Sequence, residues 1–253
     1  TGMITSKHLV TDVTFYEESY RNAFAQFYGN IEDYAVLALL PSYLERKNSS
    51  LVYMVQHFIE KSQSDFSGFF LHNVDELVQV LKKLAQAPEQ PRRKVLLIGV
   101  TFALLDLAES RQDWSFLRHI PELIVMETGG MKGRREELLR EEVHEILTQA
   151  FQVDKIHSEY GMTELLSQAY SKGQGVFSLP PTMRILLRDV NDPFAIDNSR
   201  KSGGINVVDL ANIDSCAFIE TKDLGSLIGT NGDFRVLGRF DNSDIRGCNL
   251  MLG

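Results

Sequence analysis

Apolar positions recur along the chain with two periods, and the dominant period changes past the middle. Tyr16, Tyr20, Phe24 and Phe27 share one helical face, and Gly29 ends that helix. Residues 35–40 are a continuous apolar run closed by Pro41, the signature of a strand buried on both faces. Ser49 and Ser50 predict the cap of a helix reaching about Lys61, and residues 69–71 read as a short strand. Asp75 is expected to cap a helix carrying Leu77, Val78, Leu81 and Leu84 on one face. After a polar loop at 88–93, residues 94–100 form a second buried strand and 102–108 a helix. A third apolar run, 123–126, opens into a glycine-rich stretch and a charged helix over about 135–151. Such β/α alternation predicts a parallel sheet covered by helices. Beyond Gly173 the period shortens: 183–188, 204–210, 216–220 and 234–237 are strand-like, with Gly, Asn and Asp between them. With no long linker, the expectation is one α/β body with a β-rich C-terminal subregion.

Composition narrows the function classes. The 253 residues carry 26 Lys and Arg against 34 Asp and Glu, a formal net charge of −8, and 43% are hydrophobic. That is enough apolar material for a substantial core. The acidic balance argues against a nucleic-acid binder or a membrane-surface binder. No run approaches the roughly 18 apolar residues of a membrane span, and the first residues do not read as a signal peptide. Two cysteines, Cys216 and Cys248, exclude a disulfide scaffold and suit a reducing cytoplasm. The histidines lack zinc-ligand spacing. A phosphate loop of the G-x-x-x-x-G-K type, a dinucleotide fingerprint, a nucleophile elbow and a long repeat are all absent.

Three polar loops remain as candidate chemistry. The first is Glu127-Thr128-Gly129-Gly130-Met131-Lys132-Gly133-Arg134. A strand that ends in glycines before a helix lets backbone approach a ligand and presents free N–H groups to an anion. A plain strand-to-helix turn with solvated arginines accounts for the same residues. The second is Ser158-Glu159-Tyr160-Gly161-Met162-Thr163-Glu164. It offers a ring for stacking, a hydroxyl for a phosphate and a hard oxygen for Mg²⁺. A turn at Gly161 with Thr163 capping a helix through Leu165, Leu166 and Tyr170 would serve equally. The third joins Glu220-Thr221-Lys222-Asp223 to Gly238-Arg239-Phe240-Asp241 and Arg246-Gly247-Cys248-Asn249. A carboxylate such as Asp223 accepts two hydrogen bonds from a diol readily, although surface turns generate similar strings.

In this order the three loops resemble the adenylate-forming superfamily of acyl ligases. Tyr160-Gly161-Met162-Thr163-Glu164 is similar to its Y-G-x-T-E motif, Thr221-Lys222-Asp223 to its T-x-D motif, and Gly238-Arg239-Phe240-Asp241 with Arg246-Gly247 to its G-R-x-D…R-G hinge. Thr1-Gly2-Met3-Ile4-Thr5-Ser6-Lys7 looks like the tail of its phosphate loop. The closer resemblance is to the acyl-protein synthetase of bacterial bioluminescence, the LuxE-like family. It is carried by the strings from Glu127, from Ser158 and from Arg246, with Leu40-Pro41-Ser42-Tyr43-Leu44-Glu45-Arg46.

The resemblance implies an adenylate-forming large-domain fold, truncated at both ends. Residues 1–237 would be the AMP-binding body, lacking the upstream start of the phosphate loop, and 238–253 a hinge and C-terminal stub. It implies ATP-dependent activation of a fatty acid through an acyl-adenylate, with Mg²⁺, transfer to an enzyme cysteine, and delivery to a partner reductase. Site roles follow the motifs: Glu164 for Mg²⁺, Thr163 for the α phosphate, Tyr160 and Gly161 with Gly129 and Gly130 around the adenine, Asp223 for the ribose, Arg239 for ribose or phosphates, and Thr1 and Gly2 in the phosphate loop. Cys248, beside Arg246, is the candidate acyl carrier, since a thiolate attacks a mixed anhydride; a small apolar filler is the alternative, a role that suits Cys216. Other readings are an acyl- or aryl-CoA ligase of the phenylacetate-activating type, and a nucleotide- or acyl-binding module without turnover.

Overall fold

Each apolar run between amphipathic helices becomes an inner strand of a single sheet. In a computed structural model the chain is described at residues 7–40, 49–70, 73–86, 93–110, 112–130 and 138–239. Helix α1 (Val13–Tyr28) is capped by the Asp12 carboxylate and stopped at Gly29, whose φ of +83° favours glycine. It is followed by β1 (Tyr34–Leu39), α2 (Ser50–Ser62), β2 (Gly68–Phe69), α3 (Val74–Gln86) and β3 (Lys94–Val100). Then come α4 (Thr101–Ala108), β4 (Leu123–Thr128), α5 (Arg140–Phe151) and β5 (His157–Tyr160). The remaining strands are β6 (Ala169–Ser171), β7 (Phe177–Ser178), β8 (Met183–Arg188), β9 (Gly203–Asp209), β10 (Phe218–Ile228) and β11 (Asp233–Arg239).

Among the described residues the strands form one mixed sheet in the order β2-β1-β3-β4-β5-β6-β7-β11-β10-β9-β8. The first five are parallel, as their crossover helices require, and the pairings from β5 onward are antiparallel. The expected division into two subregions shows in the packing. One core cluster joins the parallel strands to the helices, and a second, built on Tyr160, Phe177, Leu187, Ile205 and Phe234, lies in the antiparallel part. Leu37, Leu39, Val100 and Phe102 are buried in the first core.

Four local expectations need correction. The helix expected after Thr163 does not form. The buried carboxylate of Asp209 accepts the N–H groups of Leu166 and Ser167 at 2.8 and 3.0 Å, which turns the chain into β6, where Tyr170 is a strand residue. At α3 the carbonyl of Asn73 accepts the first helical N–H groups, so Asp75 lies inside the first turn. The described part of the charged helix begins at Arg140, where Glu142 accepts from the N–H of Leu139. Cys216 is exposed and precedes β10, rather than filling a core. At the other end, Gly238 and Arg239 continue β11; residues 240–253, the rest of the expected hinge and stub, lie outside the described residues.

Candidate functional site

Parallel strands present their C-terminal ends as natural ligand sites, and here the ends of β4 and β5 carry polar side chains. Strand β4 ends in Glu127 and Thr128 and is followed by exposed Gly129 and Gly130. Gly129 adopts φ +72°, a backbone conformation that favours glycine. The Thr101 hydroxyl, opening α4, donates to Glu127 Oε2 at 3.0 Å and reaches the Gly129 carbonyl at 3.3 Å. On β5, Ser158, Glu159 and Tyr160 are all buried.

Tyr160 reaches out of this edge toward the antiparallel half. Its ring packs at 5.3 Å from Phe234 and 5.8 Å from Phe177, and its hydroxyl donates to Asp223 Oδ2 at 2.8 Å. Burial, reinforced by the Asp223 carboxylate, pushes the phenol well above its ordinary pKa, so it stays a donor. Asp223 Oδ1 lies 4.0 Å from Nε of Arg239, whose side chain is mostly exposed. Asp223 is aimed this way by an irregularity: pairing of β10 with β9 slips between Glu220 and Leu224, and the Thr221 hydroxyl in that bulge accepts the Asp223 N–H at 3.1 Å.

Two buried carboxyls that the sequence did not single out flank this edge. Glu159 accepts a hydrogen bond from the Thr128 hydroxyl. Burial, with Glu127 adding, pushes its carboxyl up to about 7 against the pull of Thr128. Its Oε1 occupies the space a Cβ on Gly161 would need. Glu127, on the neighbouring strand, lies 3.4 Å from Arg140 Nη1 and 3.6 Å from His144 Nε2. Burial alone would raise it; Arg140, with His144 and Ser158, outweighs burial and holds it below the ordinary value. For Glu127 its position at the end of an apolar strand was the available signal, but a charged residue there reads from sequence as a strand leaving the core.

The structure therefore brings Tyr160, Asp223 and Arg239 together, with Gly161 following Tyr160. Gly129 and Gly130 end the neighbouring strand. Thr163 is exposed and Glu164 half-buried in the turn after β5; the Glu164 carbonyl accepts from Asn212 at 2.7 Å. No described contact joins the Glu164 carboxylate to Tyr160 or Asp223. Thr1, Gly2 and Cys248 lie outside the described residues. No cluster of three or more metal-ligating side chains occurs among the described residues. A Mg²⁺ ion carried in on nucleotide phosphates needs only one or two carboxylates, which is what Glu164 offers. A groove of about 820 Å³ runs along α5, lined by Arg140, His144, Lys155, Tyr170 and Lys172 among others, and by none of Tyr160, Glu164, Asp223 or Arg239. No helix among the described residues is long and apolar enough to cross a membrane.

No protein-family model matches the sequence, and no curated protein does. Among solved structures, the chain is similar to one from structural and functional studies of fatty acyl-adenylate ligases from E. coli and L. pneumophila, with a TM-score of 0.48 and 15% identity. The match covers 81% of this chain and 43% of that one, so this chain spans less than half of that protein's length. At that identity and TM-score the likeness says nothing of chemistry.

Proposed function

We propose that this chain is the AMP-binding body of a ligase that activates a carboxylic acid with ATP. The observation that carries the reading is the Tyr160–Asp223 hydrogen bond. It joins, at the end of β5, the two strings that resemble the Y-G-x-T-E and T-x-D motifs, with Arg239 of the third string against the same carboxylate. An oxygen of the acid attacks the α phosphorus, the bond to the bridging oxygen breaks, and pyrophosphate leaves with that electron pair. Such a step gains from fixed donors and cations rather than from a protein nucleophile.

In this reading Asp223 Oδ2 is held by Tyr160 and Oδ1 is left to accept from the ribose hydroxyls. Arg239, mostly exposed, swings between the ribose and the phosphates. Tyr160, Gly161, Gly129 and Gly130 border the base, and Thr163 donates to the α phosphate. Glu164 holds Mg²⁺, which when bound neutralises phosphate charge. Thr1 and Gly2 belong to the loop that follows the phosphates. The acid is a fatty acid. The Cys248 thiolate attacks the acyl carbonyl of the adenylate, AMP leaves, and the resulting thioester passes to a partner reductase.

Acid-dependent exchange of labelled pyrophosphate into ATP by the full-length protein, scanned over acids from two carbons upward, tests the activation step. No exchange with any acid would sink it. Covalent labelling by radioactive fatty acid should disappear in Cys248→Ser; labelling that persists removes the carrier role, and release of the acyl group only to added coenzyme A would select the CoA-ligase chemistry instead.

A further inference from the structure

The irregular stretch of β10 that aims Asp223 leaves backbone groups without a ladder partner. Glu220 pairs with Asn206 and Leu224 with Gly204, so Thr221, Lys222 and Asp223 all face the single residue Ile205. Buried carbonyls at such a place must find donors elsewhere. They find them in Arg188, on the far side of β9. Its guanidinium is almost completely buried; Nη1 donates to the Ile205 carbonyl at 3.1 Å and to Asn206 Oδ1 at 2.8 Å, and Nη2 donates to the Thr221 carbonyl at 2.7 Å. Glu220, whose carboxylate lies 3.3 Å from Nη2, is mostly exposed. A buried cation is costly unless its hydrogen bonds are well made.

The Thr221 hydroxyl completes the arrangement. It donates to the same Ile205 carbonyl at 2.8 Å and accepts the Asp223 N–H at 3.1 Å. Space for the guanidinium is cleared by Gly204, where an added Cβ would lie 2.6 Å from Arg188 Cζ and Nη1. Arginine suits the place because its planar fork supplies several donors in fixed directions; lysine cannot span both carbonyls in the same way.

We infer that Arg188 is a positioning residue for the nucleotide site: it holds the Thr221–Asp223 bulge in the one shape that turns the Asp223 carboxylate toward Tyr160 and a ribose diol. The inference rests on the proposed nucleotide site for its functional half and on the bulge geometry for its structural half. The test compares wild type with Arg188→Met, Arg188→Lys and Gly204→Ala. Two quantities are read: the affinity ratio between ATP and 2′,3′-dideoxy-ATP, and amide hydrogen exchange along β8 to β10. Losing the orientation of one charged hydrogen-bonding group should cut the ratio about tenfold or more, through weaker ATP binding and not through the dideoxy analogue. Arg188→Lys should fall between Arg188→Met and wild type. Exchange should rise at residues 221–223 while 183–187 and 205–209 stay protected. If Arg188→Met does not fold, Gly204→Ala displaces the guanidinium without deleting it and gives the same readouts. An unchanged ratio, or exchange rising evenly over all three strands, would overturn the inference. A wild type that binds neither nucleotide strikes the ligase reading; local loosening at 221–223 then keeps the buttress and even loosening removes it.

Discussion

Tyr160 and Asp223, 63 positions apart in the chain, are joined by a hydrogen bond of 2.8 Å across the boundary between the parallel and antiparallel halves of the sheet. The donor is buried and the acceptor carboxylate is only 16% exposed, so neither is well served by water. Tyr160→Phe keeps the ring contacts with Phe177 and Phe234 and deletes only the donor. We expect a stability loss of about 1.5–3 kcal/mol in urea unfolding, the usual range for a hydrogen bond to a charged group. AMP affinity should fall with it, because Asp223 is no longer oriented. Unchanged unfolding and unchanged AMP titration would show that the bond organises nothing.

Glu159 gives the protein a pH dependence of defined sign. Its carboxyl is raised from 4.5 to about 7, first by burial. Between those values the folded protein keeps a proton that the unfolded chain gives up, so stability falls as pH rises. The contribution is fully present below about 4.5 and lost as pH rises through about 7, on the order of 3 kcal/mol in all. His157 acts oppositely: burial, with Lys155 and Lys172 adding, lowers it to about 4, so its contribution is present above 6.5 and lost as pH falls through 4. The difference between wild type and Glu159→Gln isolates the first. Urea midpoints should favour the glutamine variant progressively from pH 5 to pH 8; a difference that does not change with pH would contradict the raised carboxyl.

Sequence patterning located most of the framework and little of the site's inner chemistry, for a physical reason. Strands β1, β3 and β8 were legible within a residue because apolar-rich runs packed in the sheet write their burial into the sequence. The segment after Thr163 was not. Thr163, Leu165, Leu166 and Tyr170 have helical spacing, but Asp209, some forty positions later, captures the N–H groups a helix would use. Asp223 and Tyr160 were singled out as chemistry, and their contact depends on a bulge that no local pattern announces. Glu127 and Glu159 were passed over because charge at a strand end normally signals exposure. Their burial is made tolerable by Arg140, His144 and Thr128, partners distant in the chain.

Gly161 is constrained by a side chain, not by its own backbone angles. A Cβ there would collide with Oε1 of the Glu159 carboxyl, which the Thr128 hydrogen bond helps hold in place. Gly161→Ala should cost about 1–3 kcal/mol, the range for overpacking a filled site. In the double variant Gly161→Ala, Glu159→Ala the obstruction is gone, so the two losses should not add. Urea unfolding of the four proteins measures the coupling, and strict additivity would mean that the carboxyl is not what excludes a side chain.

Arg140 holds a carboxylate that burial would otherwise protonate. Glu127 is 3% exposed, with Arg140 Nη1 at 3.4 Å, and the same guanidinium lies 4.9 Å from the Phe177 ring that packs on Tyr160. Deleting one partner of a buried ion pair strands the other, at a cost of about 3–5 kcal/mol. Arg140→Met should therefore be severely destabilised at pH 8. With the guanidinium gone, burial raises the Glu127 carboxyl, so the folded state takes up a proton the unfolded chain releases. The defect should therefore shrink as pH falls toward 5, where the folded variant keeps the carboxyl neutral and ionising it in the unfolded chain gains least. Adding Glu127→Gln removes the stranded charge, and Arg140→Met, Glu127→Gln should recover much of the loss at pH 8 and lose its pH dependence. Unfolding curves for the three variants at pH 5 and 8 decide it. A double variant no more stable than Arg140→Met would assign the arginine's contribution to its contact with Phe177 instead.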